Sequence, residues 1–66
     1  MIITVNGTEM EYDTGLTGGS LLTALQIPAA TVVAEINGRI VRRENFPTYV
    51  LADGDRVELV TVVGGG

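Results

Sequence analysis

Asn-Gly occurs twice in this chain, at Asn6-Gly7 and Asn37-Gly38, each time between short runs rich in β-branched and apolar residues. Both central residues of a type I′ turn need positive φ, which asparagine tolerates and glycine adopts freely. A two-residue turn of that kind matches the twist of the antiparallel strands it joins. Two hairpins are therefore expected, one pairing residues 1–5 with 8–12 and one pairing 31–36 with 39–41. In the first, Met10 and Tyr12 alternate with Glu9 and Glu11, so Ile3 and Val5 should meet the apolar pair across the strands.

Between the hairpins lies one helical pattern. Thr17 suits an N-cap, and Leu21, Leu22 and Leu25 form an apolar stripe closed by Ile27 before Pro28 ends the helix. Gly18 and Gly19 in its first turn should weaken it by ~1 kcal/mol each relative to alanine. Residues 42–51 have no clean period and are interrupted by Pro47. Phe46, Tyr49, Val50 and Leu51 are expected to tuck this segment onto the core. Asp53-Gly54-Asp55 reads as a turn, and residues 56–62 as a last strand of high β-propensity.

A chain of 66 residues supports one core, since it buries only ~60% of the surface its unfolded form exposes. One helix must then cover one face of one mixed sheet. That α+β arrangement, a hairpin followed by a helical crossover into the same sheet, is the β-grasp or ubiquitin-like topology, with the last strand parallel to the first. Residues 1–63 form the expected domain, and residues 64–66 a flexible glycine tail.

Composition excludes much chemistry. There is no cysteine, no histidine and no lysine, because the four basic residues are Arg39, Arg42, Arg43 and Arg56. Thiol nucleophiles, histidine bases, Schiff bases and zinc sites of the usual kind are removed together. No catalytic residue and no metal ligand set is expected. Asp53 and Asp55 match only a fragment of a calcium loop and lack its other ligands. The net charge of −4 argues against nucleic acid or an anionic membrane as partner. No apolar run approaches the ~18 residues of a membrane span. A cytoplasmic, monomeric domain is the expectation.

One reactive group stands out, the carboxylate of Gly66, which follows Val63-Gly64-Gly65. Glycine lacks a Cβ, so Gly64 and Gly65 can thread a narrow channel in conformations closed to other residues. Four residues from Val63 reach at most ~14 Å beyond the last strand, enough to deliver a carboxylate into another protein's active site. That carboxylate is ionised at neutral pH and can attack an α-phosphate. A frayed terminus is the plainer alternative. Glycines placed directly after the last strand of a β-grasp favour the functional reading.

Over its whole length the chain resembles the small sulfur-carrier family of thiamine (thiazole) biosynthesis. The resemblance lies in the opening run from Met1 to Gly7, the Leu21-Leu22-Thr23-Ala24-Leu25 helix and Val33-Ala34-Glu35-Ile36-Asn37-Gly38. It continues in Ile40-Val41-Arg42-Arg43, Asp53-Gly54-Asp55-Arg56-Val57-Glu58 and the terminal Val63-Gly64-Gly65-Gly66. The family often has proline where Arg42 stands and tryptophan where Phe46 stands. What the resemblance implies is a carrier and not an enzyme, with no cofactor bound. An E1-like enzyme would use Mg-ATP to adenylate Gly66. A sulfur donor, such as a cysteine desulfurase acting through a persulfide, would convert it to a thiocarboxylate, and thiazole synthase would receive the sulfur.

Three alternatives stay open. The small subunit of molybdopterin synthase shares fold and tail, although the short helix-to-strand segment here favours the thiamine branch. A ubiquitin-like protein modifier is reduced by the absence of lysine, which rules out lysine-linked chains. A passive β-grasp binding module needs no chemistry at all. Val60 and Val62 should face the uncovered side of the sheet as a docking patch, or else pack under residues 46–51. Arg42 and Arg43 are candidates for contact with an acidic partner.

Overall fold

The computed structural model describes residues 1–62. Strands β1 (Ile2–Val5) and β2 (Thr8–Glu11) form the first hairpin, and β3 (Val32–Ile36) and β4 (Arg39–Val41) the second. Asn6 and Asn37 take φ of 49° and 53°, and Gly7 and Gly38 take 84°, as type I′ turns require. Helix α1 (Gly18–Leu25) crosses between the hairpins, and β5 (Arg56–Thr61) ends the sheet. The strand order is β2-β1-β5-β3-β4, with β5 parallel to β1 and antiparallel to β3. This is the expected β-grasp: one mixed sheet with one main helix on one face. No helix among the described residues is long and apolar enough to cross a membrane.

The core forms where α1 meets the sheet. Ile3, Val5, Ala34, Ile36, Val57 and Leu59 supply the sheet's inner face, and Leu21 and Leu22 the helix. The first hairpin's register differs slightly from expectation. Ile3 does oppose Met10, but Val5 opposes Thr8, because the tight turn leaves no room for a longer offset.

Helix α1 begins as its sequence suggests. Thr17 is extended, and its hydroxyl oxygen accepts from the Ser20 N–H at 3.2 Å. Its end differs. Pro28 does not stop the helix; Gln26 does, by turning left-handed at φ 59°. The Ile27 N–H then donates to the Leu22 carbonyl at 2.9 Å and the Gln26 N–H to Thr23 at 3.1 Å, the paired bonds of a Schellman cap. A glutamine there carries none of the sequence signal that a glycine would.

Two further expectations need correction. Of the segment meant to tuck onto the core, Phe46 and Leu51 are buried, whereas Tyr49 is 37% and Val50 62% exposed. A 3₁₀ turn at Phe46–Thr48 drives the Phe46 ring inward, and the chain then runs across the N-terminus of α1. The Gly18 N–H donates to the Tyr49 carbonyl and the Leu51 N–H to Leu16, at 2.9 and 2.8 Å. Those bonds fix the backbone of residues 49 and 50 while leaving their side chains outside. The second correction is Gly18 itself. It is no mere flaw in the helix: a Cβ there would collide with the Phe46 carbonyl oxygen and lie 2.9 Å from two of its ring carbons.

Candidate functional site

Val63, Gly64, Gly65 and Gly66 lie outside the described residues. The structure does describe the platform from which they leave. Strand β5 runs between β1 and β3, and both hairpin turns grip it with side chains. The Asn6 carboxamide accepts from the Leu59 N–H at 2.7 Å and donates to the Leu59 carbonyl at 3.2 Å. The Asn37 carboxamide accepts from the Arg56 N–H at 2.9 Å and donates to the Asp55 carboxylate at 3.0 Å. Asp55 also accepts from the Ala52 N–H at 2.8 Å, closing the turn before the strand.

Turn chemistry alone assigns these asparagines only a backbone role. Their side chains carry a second one, because a carboxamide offers donor and acceptor together and so can replace a missing strand neighbour. An aspartate, which also tolerates a left-handed turn, would present acceptors alone. The choice of asparagine at both turns is the one signal of this role in the sequence.

At the sheet end where β5 terminates, strand alternation turns Val60 to the uncovered face. Val60 is 61% exposed and sits directly opposite Val33, which is 37% exposed. Val62 is 46% exposed just beyond. The Phe46–Thr48 turn lies on the opposite, helix-covered side, so it does not pack over Val60. Below this apolar pair, Glu58 and Glu35 face each other across β5 and β3, and Ile40 pairs with Glu35 on the far side, 71% exposed. Like charges placed directly opposite oppose each other, so this face keeps an acidic pair at some expense to the sheet.

The two arginines separate. The β3–β4 register, continued by one residue, sets Arg42 beside Val33 and so in line with Val60, two strand spacings or ~10 Å away. Arg43 instead lines a crevice on the helix side with Ala29, Phe46 and Pro47, a crevice without room for a water molecule. Among the described residues, no group of three or more histidine, cysteine or acidic side chains is placed to hold a metal ion. The arrangement presents a surface and a strand end.

Comparison with known proteins fits this geometry to a family. The family model described as the ThiS family matches residues 3–66. The sulfur carrier protein ThiS of Escherichia coli is 35% identical over 66 residues, covering 100% of both chains. The carrier of the same name from Bacillus subtilis is 34% identical and is covered over 100% of its length. A thiazole synthase of Paramagnetospirillum magneticum is 32% identical over 66 residues, and there the chain spans only 20% of the relative's length. The crystal structure of the thiamine biosynthesis protein ThiS from Geobacter metallireducens superposes with a TM-score of 0.82 at 39% identity, over 100% of each chain.

Proposed function

The chain belongs to the ThiS family of sulfur carriers in thiamine biosynthesis, and on that premise we propose that its own Gly66 carboxylate carries the sulfur. A carboxylate oxygen attacks the α-phosphorus of Mg-ATP in an E1-like activating enzyme, and pyrophosphate leaves. The resulting mixed anhydride has in AMP a leaving group that the free carboxylate lacks. The terminal sulfur of a donor persulfide attacks the carbonyl carbon, AMP departs, and a thiol reductant cleaves the acyl disulfide to leave a thiocarboxylate. Thiazole synthase then takes that sulfur. The chain has no cysteine or lysine side chain to intercept its own activated end.

The observation that carries this reading is the near full-length match with two proteins named sulfur carriers, together with a family match that extends through residue 66. The thiazole synthase relative supports the receiving partner. A stretch similar to this whole chain makes up 20% of that protein, so carrier-like and synthase-named sequence share one polypeptide there. The test is a reconstitution. Incubation with an activating enzyme, Mg-ATP and a persulfide donor should raise the chain's mass by the difference between sulfur and oxygen, located by fragmentation at Gly66. An unmodified mass, with the same enzyme active on a control carrier, overturns the reading. An amide-linked adduct on a second protein would indicate a modifier instead.

Val60, Val62 and Arg42 are the surface by which the partner holds the chain while its tail is engaged, whereas Arg43 faces the helix side. Val60→Asp places a charge at the centre of the apolar pair without touching the core. It should weaken binding to the activating enzyme about tenfold, the loss typical of one well-packed contact. The thermal midpoint should stay within a few degrees of wild type. A large fall in midpoint would show that Val60 belongs to the core.

A further inference from the structure

The last rung of β5 is complete on one side only. In an antiparallel pair, the N–H and C=O groups of successive residues point alternately to the two neighbours. The Val62 N–H donates to the Thr31 carbonyl at 2.6 Å, so residues 56, 58, 60 and 62 are directed at β3. Residues 57, 59 and 61 are directed at the β1 side. There the Val57 carbonyl accepts from the Asn6 N–H at 2.9 Å, and the Asn6 carboxamide satisfies Leu59. Strand β1 has by then ended at Val5, and the chain turns away through Asn6-Gly7 into β2. Among the described residues, nothing on that side reaches the N–H or C=O of Thr61.

Natural sheets usually blunt such an edge with lysine, proline or a bulge. Here Val60, Thr61 and Val62 are all β-branched, and β3 alone holds them extended. The result is a preformed, unprotected strand edge of one rung, five residues before Gly66. We propose that an extended segment of the activating enzyme adds to the sheet at Thr61, in line with β1, and pairs with its N–H and C=O. This rests on the reading that such an enzyme acts on Gly66.

Strand addition of this kind would do more than bind. The hydrogen-bonding sides alternate with a period of two residues, so a paired strand can slip only by two residues, ~6.8 Å, and not by small steps. Pairing at Thr61 would therefore fix how far along its channel the tail lies. The span left to Gly66 is at most ~18 Å. The apolar pair of Val60 and Val33 cannot set that distance, since apolar contacts are non-directional.

Amide hydrogen exchange on the full, 15N-labelled chain tests this directly. In the free protein, the Val60 and Val62 amides should be protected and Thr61 should exchange freely. In the complex with the activating enzyme and Mg-ATP, Thr61 should slow by at least about tenfold, as for a formed hydrogen bond. Thr61→Pro removes the donor while leaving every bond to β3 in place, and should weaken the enzyme's affinity ~3–10-fold. A Thr61 amide already protected in the free chain, or unchanged in the saturated complex, overturns the proposal. So does a Thr61→Pro chain that folds and binds like wild type. If that variant fails to fold, the exchange measurement on the unaltered chain decides. Loss of the sulfur-carrier reading looks different: the unaltered chain would then gain no sulfur at Gly66 in the reconstitution, whatever the Thr61 amide does.

Discussion

Gly18→Ala is expected to destabilise the fold severely, although helix propensity alone predicts a gain of ~1 kcal/mol. The added methyl would overlap the Phe46 carbonyl oxygen and press on the Phe46 ring, which is 2% exposed and among the largest buried side chains. Neither atom is the free end of a flexible chain. The carbonyl is backbone in a 3₁₀ turn whose next residue is Pro47, and the ring is enclosed by core. Relief requires residues 46–51 to lift from α1, breaking the Gly18–Tyr49 and Leu51–Leu16 hydrogen bonds. Overpacking of this kind costs ~1–3 kcal/mol or more, and a domain of this size has only ~3–10 kcal/mol in total. At ~4–8 °C per kcal/mol, the thermal midpoint should fall by roughly 10 °C or more. Gly19→Ala is the comparison, since its Cβ would lie 3.0 Å from the Pro47 carbonyl oxygen, where a small shift suffices. It should stay within about 1 kcal/mol of wild type, as propensity offsets crowding. Equal midpoints for the two variants would show that the close approach to Phe46 is not what requires glycine at position 18.

That contrast marks where the sequence is readable. Both hairpins follow from a dipeptide whose backbone conformation is decided locally, and the Thr17 cap and the alternation of Val57, Leu59 and Val60 are local as well. The features that sequence misleads on depend on contacts between distant residues. Gly18 reads as a weakness because its reason, Phe46, lies 28 positions away. Asn6 and Asn37 read as turn residues only, because the strand they grip is 53 and 19 residues further along. Gln26 ends the helix left-handed, a place propensity would give to glycine, with the Ile27 N–H to Leu22 and Gln26 N–H to Thr23 bonds closing the turn. The patch follows the same division. Period-two alternation exposes Val60, but its pairing with Val33, its alignment with Arg42 and the opposed Glu35 and Glu58 come from a register that no single segment encodes.

Gly65→Val should leave the fold intact and reduce adenylation by at least about 100-fold, the loss that a 1 Å misplacement of a reacting group can already produce. The fold should survive because, among the described residues, every buried core residue lies at or before Leu59. The rate falls for a steric reason. On the proposed reading, the carboxylate would reach an α-phosphate through a narrow channel in the activating enzyme, where a β-branched side chain would both widen the tail and confine its backbone. Length is a separate requirement. One alanine appended after Gly66 retains all three glycines but moves the carboxylate by a residue rise, ~3.5 Å, past the phosphate. Both variants should therefore bind the activating enzyme through Val60 and Arg42 nearly as well as wild type, yet release little pyrophosphate. Separating binding from turnover in this way distinguishes the tail from the platform. A Gly65→Val chain adenylated at the normal rate would remove the narrow channel from the account. An alanine-extended chain still modified at its new end would remove the distance requirement, leaving any carboxylate held near the enzyme as sufficient.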